Sequence, residues 1–270
     1  MVKLVPYTNP FDPLSIAVSI IAFIIHIAFL LILGVYSRRT YKIMVGDIEK
    51  AKMMFIYTAF FSLGIGDIFY FLSFLILTIT GSTGFRIEVN GVFIYPYGIF
   101  EALFRSLAII FLVSMLAYST LHLKGKLTRK ESVVIAAMAV FGILIQALPY
   151  NYFGFKVEGA AIFIRPYNDL FIVLMVIITI VQNFRMYIKT AKYTTDILIK
   201  RRRFSFFFAT FLVSIGIIGV SIAAFIATVS ATLILILLAF ELFILLAPPI
   251  LYYLSIFASD SIAKKFLMVK

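Results

Sequence analysis

The sequence predicts an all-α integral membrane protein, a bundle of seven transmembrane helices. Apolar residues make up 63% of the 270-residue chain and charged residues only 13%, whereas a soluble domain has about 25% charged residues. The apolar residues form seven runs of about 20 residues, the length that crosses a bilayer. The basic residues lie almost entirely on alternate connections between these runs. A lipid bilayer is therefore the expected partner, and a multi-pass position in the cell membrane the expected location.

The seven apolar runs are predicted to form one transmembrane domain. The spans are residues 14–36, 53–80, 97–123, 132–150, 167–188, 204–227 and 232–257. The first span does not have the features of a cleaved signal peptide, because it lacks a basic leading segment and a small-residue cleavage site, and basic residues follow it. We therefore treat residues 1–270 as a single transmembrane domain.

The basic residues predict the orientation of the bundle. Of the 24 lysine and arginine residues, 19 lie on one side of the predicted membrane. The remaining five are Lys3, Arg86, Lys156 and Arg165 on the other side and Arg105 inside a span. Because cytoplasmic loops carry the excess of basic residues, the N-terminus is predicted outside and the C-terminus in the cytoplasm. Their scatter over separate loops, without a recognisable module, argues against nucleic acid binding.

Two external connections resemble each other 70 residues apart. Residues 84–88 read Gly-Phe-Arg-Ile-Glu and residues 154–158 read Gly-Phe-Lys-Val-Glu; each is followed by an apolar segment that ends in X-Pro-Tyr. We interpret the two as a duplication in which spans 2–3 are repeated as spans 4–5. Each loop is predicted to form a short β-like strand or hairpin that ends at a helix start, with proline in the first turn. The two strands would form an external cap, either a lid or a folded rim.

Ionisable residues inside the spans are the main candidate functional residues, because charge in a bilayer costs at least a few kcal/mol. This intramembrane cluster comprises His26, Asp67, Glu101, Arg105 and Glu241. Spans 1, 2, 3 and 7, which carry them, can be mutual neighbours, and all but Glu101 fall within a depth of roughly 10 Å. The cluster is either a site for a proton, cation or anionic ligand, or a neutralised network that holds the helices together.

Other residues define a predicted vestibule and a hinge. Gln146 in span 4 and Asp169 at the mouth of span 5 would extend the polar lining outward. Pro248 and Pro249 interrupt span 7 and are predicted to kink it. The chain has no cysteine and only two histidines, so no metal site and no cofactor are predicted.

The segment Gly64-Ile65-Gly66-Asp67 resembles the GxGD motif of intramembrane aspartyl proteases. That family uses two catalytic aspartates on facing helices, and no earlier span here supplies a second one. No catalytic residue is therefore assigned, and the chain is not expected to be an enzyme. The glycines are instead predicted to permit close helix packing. The topology also resembles that of microbial rhodopsins, but span 7 has no lysine to carry retinal.

The function that these features favour is transport or conduction of protons, cations or a small solute. Asp67 and Glu241 would accept the proton or cation, and Arg105 would be the countercharge. Two alternatives remain: a non-catalytic subunit of a larger membrane complex, and a seven-helix sensor. Other membrane subunits or further copies of the chain are the protein partners left open. The scarcity of Asn, Gln and Cys is typical of thermophilic proteins.

Overall fold

A computed structural model describes most of the chain, namely residues 13–80, 87–89, 92–94, 96–147, 161–226 and 231–268. In these ranges the chain forms eight helices and one two-stranded hairpin. In chain order they are α1 Pro13–Ile43, α2 Asp47–Thr80, β1 Ile87–Val89, β2 Val92–Ile94, α3 Pro96–Lys124, α4 Arg129–Ala147, α5 Ala161–Tyr193, α6 Ile197–Ile226, α7 Ala231–Ile256 and α8 Asp260–Phe266.

Each of the seven predicted spans coincides with one of the helices α1–α7, so the helical fold is confirmed. Among the described residues, four helices are long and apolar enough to cross a membrane: Ile20–Ile43, Asp47–Ser73, Ala102–Lys124 and Leu170–Tyr193. A shorter apolar helix covers Leu242–Ile256. These apolar helices suit a lipid bilayer. The count of seven spans and their orientation stay predictions.

Six helices close into a ring. Successive contacts run from α1 through α2, α3, α5, α6 and α7 and back to α1, while α4 packs outside the ring against α3 and α5. Each helix of the ring contributes a fully buried side chain to one common core: Leu30, Phe60, Phe111, Met175, Phe206 and Tyr252. The described side chains of α4 that touch this core are only partly buried. This ring places α1, α2 and α7 side by side.

The connection between α2 and α3 contains the predicted hairpin. Strands β1 and β2 pair antiparallel, with Val89 opposite Val92 and Ile87 opposite Ile94. The two residues between the strands are Asn90-Gly91, a sequence typical of two-residue hairpin turns. Helix α3 begins at Pro96, as the placement of proline in the first turn predicted.

The prediction of a matching strand in the second connection is wrong for residues 162–164. Helix α5 already begins at Ala161, so these residues are helical. Nothing between Ala161, a strong helix former, and Pro166 interrupts a helix, and Pro166 removes only one backbone hydrogen bond from its first turns. Residues 148–160, which include the Gly-Phe-Lys-Val-Glu segment, lie outside the described residues, so the proposed duplication stays a prediction.

Candidate functional site

The structure brings together two of the predicted cluster residues, His26 of α1 and Asp67 of α2. The distance between His26 Nε2 and Asp67 Oδ2 is 3.1 Å, and the two side chains are only 6% and 9% exposed. The contact is within ion-pair distance, yet Oδ2 has no aligned hydrogen bond within the described part of the chain. A buried carboxyl oxygen in that position is costly. This unsatisfied oxygen marks Asp67 as a candidate functional residue.

A third helix reaches the pair through its backbone. His26 Nδ1 contacts the carbonyl oxygen of Leu245 in α7. In an α-helix this carbonyl would accept from the amide four residues later, but that residue is Pro249, which has no N–H. Pro249 therefore leaves the Leu245 carbonyl without its helical donor, and His26 occupies the open position.

These two contacts determine how many protons the pair holds. A carbonyl oxygen can only accept, so Nδ1 of His26 must carry a hydrogen. A second proton is then needed between Nε2 and Oδ2, because otherwise two electron-rich atoms would face each other at 3.1 Å. That proton belongs either to an imidazolium beside a carboxylate or to a carboxylic acid beside a neutral imidazole. Both forms of the pair have zero net charge.

Close helix packing positions Asp67. A Cβ atom on Gly64 would lie 3.0 Å from Leu31 Cδ2 in α1, and one on Gly66 would lie 3.2 Å from Leu107 Cβ in α3. Both separations are tighter than ordinary contact, so the two glycines let α2 approach helices on both of its sides. This confirms the packing role predicted for the glycines and fixes the distance between Asp67 and α1.

Apolar side chains enclose the pair above and below. On one side, Ala22, Phe23 and Leu245 form a buried cluster that packs against Tyr70, Phe71 and Leu242. One turn away on the other side, Leu30 of α1 and Leu63 of α2 belong to the main core. This enclosure lowers the local dielectric, so a change of charge at the pair has a large energetic effect.

The structure also describes several of the other predicted residues. Arg105 is buried in α3, 2% exposed, and its turn of helix packs against Gly66 through Phe104 and Leu107. Pro248 and Pro249 lie buried within α7. Gln146 is fully buried near the end of α4 rather than open to solvent. The side chains of Glu101, Asp169 and Glu241 lie outside the described residues. No group of three or more metal-ligating side chains occurs in the described ranges.

Sequence reasoning missed two polar features. The first is the Leu245 carbonyl, whose signal was available four residues later in Pro249. The second is a polar seam between α3 and α5, where Gln182 Nε2 donates to Thr120 Oγ1 at 3.1 Å and Thr179 Oγ1 donates to the Leu112 carbonyl at 3.3 Å. Uncharged residues in an apolar run gave no distinct signal for this seam.

Comparison with known proteins gives no family for this chain. No protein-family model, curated protein or solved structure matches it. Function is therefore inferred from the meeting point of α1, α2 and α7.

Proposed function

We propose that this protein carries protons, or a small cation in place of a proton, across the membrane by way of His26 and Asp67. The observation that supports this proposal is the buried contact of 3.1 Å between the two side chains, completed by the Leu245 carbonyl of α7. An intramembrane carboxyl–imidazole pair is typical of proton relays. The apolar helices around the pair suit a lipid bilayer.

The proposed transport mechanism follows from the number of protons that His26 and Asp67 hold together. With its shared proton the pair is neutral, and loss of that proton leaves one negative charge in an apolar enclosure. An uncompensated charge is strongly disfavoured there, so deprotonation favours a different arrangement of the helices. Arg105, which is buried one helix away, would supply the compensating positive charge. A small cation bound to the Asp67 carboxylate would neutralise it in the same way.

The moving element in this mechanism is α7. Two adjacent prolines remove two backbone hydrogen bonds from its interior, which makes bending at this point less costly than elsewhere in the helix. A bend that withdraws the Leu245 carbonyl from His26 would leave Nδ1–H without its acceptor. Proton release and movement of α7 would thus be coupled through one hydrogen bond.

Reconstituted flux tests the proposal. Purified protein in liposomes should dissipate an imposed pH gradient, followed with a trapped pH-sensitive dye; a sodium gradient at constant pH tests cation transport. Asp67→Asn and His26→Gln should each lower the rate at least about tenfold, because neither variant can share the proton. Asp260→Asn is the matched control, since it makes the same chemical change at an exposed carboxylate of α8.

Two results would overturn the proposal. One is unchanged flux in both Asp67→Asn and His26→Gln. The other is absence of flux under either gradient from a monodisperse wild-type protein. The second result would favour the subunit alternative. The position of α4 outside the ring leaves Val133, Val134, Val140, Phe141 and Leu144 exposed, and either lipid or another subunit would cover them.

A further inference from the structure

A second site lies at the end of the bundle where the basic connections are. The C-terminal ends of α3 and α5 line an open surface cavity of about 260 Å³. Its lining combines an apolar floor with polar walls: Leu123 and Met186, then His122, Lys189, Thr190 and Tyr193. This cavity is separate from the His26–Asp67 pair, and binding at it does not depend on the proposed transport.

Positive charge converges on this cavity. Arg203, Lys52 and Lys189 all lie close enough to His122 for their charges to act on the ring. Lys52 is neutralised by Glu49, with Nζ and Oε1 2.5 Å apart. Neither Lys189 nor Arg203 is paired with a carboxylate within the described part of the chain. Among the described residues, no carboxylate therefore compensates Lys189, which lines the cavity, or Arg203, whose charge acts on the lining residue His122.

The uncompensated groups are held in place by neutral partners. Arg203 Nη1 donates to the hydroxyl of Tyr118 at 2.9 Å. The Tyr118 ring stacks on the His122 ring, with their centroids 6.1 Å apart. Lys189 Nζ donates to the Leu123 carbonyl at 2.6 Å. A hydroxyl and a carbonyl orient these cations without cancelling their charge. Lys189, which lines the cavity, keeps further N–H donors for an anion, and Arg203 contributes its charge.

We infer that this cavity binds a phosphate group, the chemistry shared by anionic lipid headgroups and small soluble phosphates. Basic pockets between membrane helices on the predicted cytoplasmic side suit such groups. The depth is appropriate, because the cavity lies where two candidate membrane spans end, at Lys124 in α3 and Tyr193 in α5, and tyrosine favours the membrane–water interface. The apolar floor of Leu123 and Met186 would contact the carbon atoms attached to the phosphate.

Thermal unfolding in neutral detergent tests this site and separates its two sources of phosphate. At constant ionic strength, either added phosphatidylglycerol or added inorganic phosphate should raise the unfolding temperature in a saturable way. Stabilisation by the lipid alone identifies a headgroup site, and stabilisation by inorganic phosphate identifies a site for soluble phosphates. Lys189→Gln should weaken the apparent affinity by about fivefold to tenfold.

Two further variants separate a built site from general surface charge. Thr190→Phe fills the cavity without removing a charge and should abolish the stabilisation even if Lys189→Gln does not fold. Lys264→Gln removes an exposed charge on α8, which does not line the cavity, and should bind like the wild type. The inference is wrong if neither ligand stabilises the protein, if Thr190→Phe binds normally, or if Lys264→Gln weakens binding as much as Lys189→Gln.

Discussion

Asp67 presents one carboxyl oxygen to His26 in a setting that excludes water, and each residue makes the burial of the other tolerable. Together they form a neutral unit; without the other member, His26 Nε2 or the Asp67 carboxyl loses its partner in the pair. Breaking a buried pair by removing one member is costly, whereas removing both is far less so. The energetics at this scale therefore belong to the pair and not to either side chain.

The stability of single and double variants tests this coupling. We expect Asp67→Leu to lower the free energy of unfolding by about 3–5 kcal/mol, because it leaves His26 Nε2 without its partner. The double variant His26→Leu/Asp67→Leu should lose less than the sum of the two single variants, by at least about 1 kcal/mol. Unfolding by sodium dodecyl sulfate in mixed micelles measures both values. Strict additivity would show that the 3.1 Å contact carries no energy.

At this scale the sequence indicated the two side chains of the pair but not the backbone group that contacts them. His26 and Asp67 were predicted as cluster residues because an ionisable group within an apolar span is conspicuous. The Leu245 carbonyl was not predicted, because every residue has a backbone carbonyl and only Pro249, four residues later, distinguishes this one. Whether Glu241 belongs with the pair stays a prediction.

At the scale of the helix, the two prolines of α7 have different expected roles. Pro249 removes the amide that would bond to the Leu245 carbonyl, and Pro248 removes the one that would bond to Ile244. Of these two carbonyls, only that of Leu245 contacts His26. The predicted kink and the site are therefore linked through one of the two residues, Pro249.

Replacing each proline separates these roles. Both Pro248→Ala and Pro249→Ala restore a backbone hydrogen bond, so both should stabilise the protein, each by up to about 3 kcal/mol. Pro249→Ala also supplies an N–H that competes with His26 for Leu245, and it should lower proton flux well below that of Pro248→Ala. The comparison is made in the same liposome preparation. Equal flux in the two variants would contradict a role for the carbonyl.

The start of α4 has a capping box that predicts a pH dependence. Thr128 N and Oγ1 donate to Glu131 Oε2 at 2.9 and 3.0 Å, and the Glu131 amide donates to Thr128 Oγ1 at 3.3 Å. Hydrogen bonding from Lys124 and then from Thr128 lowers the pKa of Glu131 from 4.5 to about 2. Because the folded-state pKa is the lower one, the stabilisation is present above pH 4.5 and is lost as the pH falls towards 2.

Glu131→Gln isolates that contribution, because glutamine retains the cap but does not titrate. We expect the unfolding temperature of the wild type to fall more steeply than that of the variant between pH 4.5 and 2. Differential scanning calorimetry of both proteins over this range gives the comparison. Parallel pH profiles would mean that the cap does not depend on the charge of Glu131.

The helices were predictable because apolar runs of span length leave little choice of structure in lipid. The position of α4 was not, because its apolar residues do not reveal whether they face lipid or protein. The strand predicted for residues 162–164 is helical because β-branched and aromatic residues also suit a membrane helix. Packing between helices therefore determined the features of the fold that the local sequence pattern did not determine.

At the scale of the whole molecule, the ring arrangement explains how residues far apart in sequence share one site. Of spans 1, 2, 3 and 7, which were expected to be mutual neighbours, α1 contacts α2 and α7, and α2 contacts α3. The contact of α3 with α5 past α4 could not be predicted, because consecutive spans are usually neighbours. The seven-span count, the orientation and a thermophilic source stay predictions.

Single-cysteine labelling tests the orientation of this molecule directly. The chain has no cysteine, so each variant carries one reactive thiol and needs no altered background. Lys126→Cys, in the basic connection between α3 and α4, should react with a membrane-impermeant maleimide only after the cells are permeabilised. Glu88→Cys in β1 should react in intact cells, because the hairpin is predicted on the outside.

A third position makes the labelling pattern decisive. Ile32, half exposed on the outer surface of α1, faces lipid if α1 spans the bilayer, so Ile32→Cys should stay unlabelled before and after permeabilisation because its thiol has no access to water. Reaction of Ile32→Cys would contradict a span at α1. Reversed labelling of Lys126→Cys and Glu88→Cys would instead retain the span and invert the orientation, and the cavity at His122 and Lys189 would then face the outer leaflet.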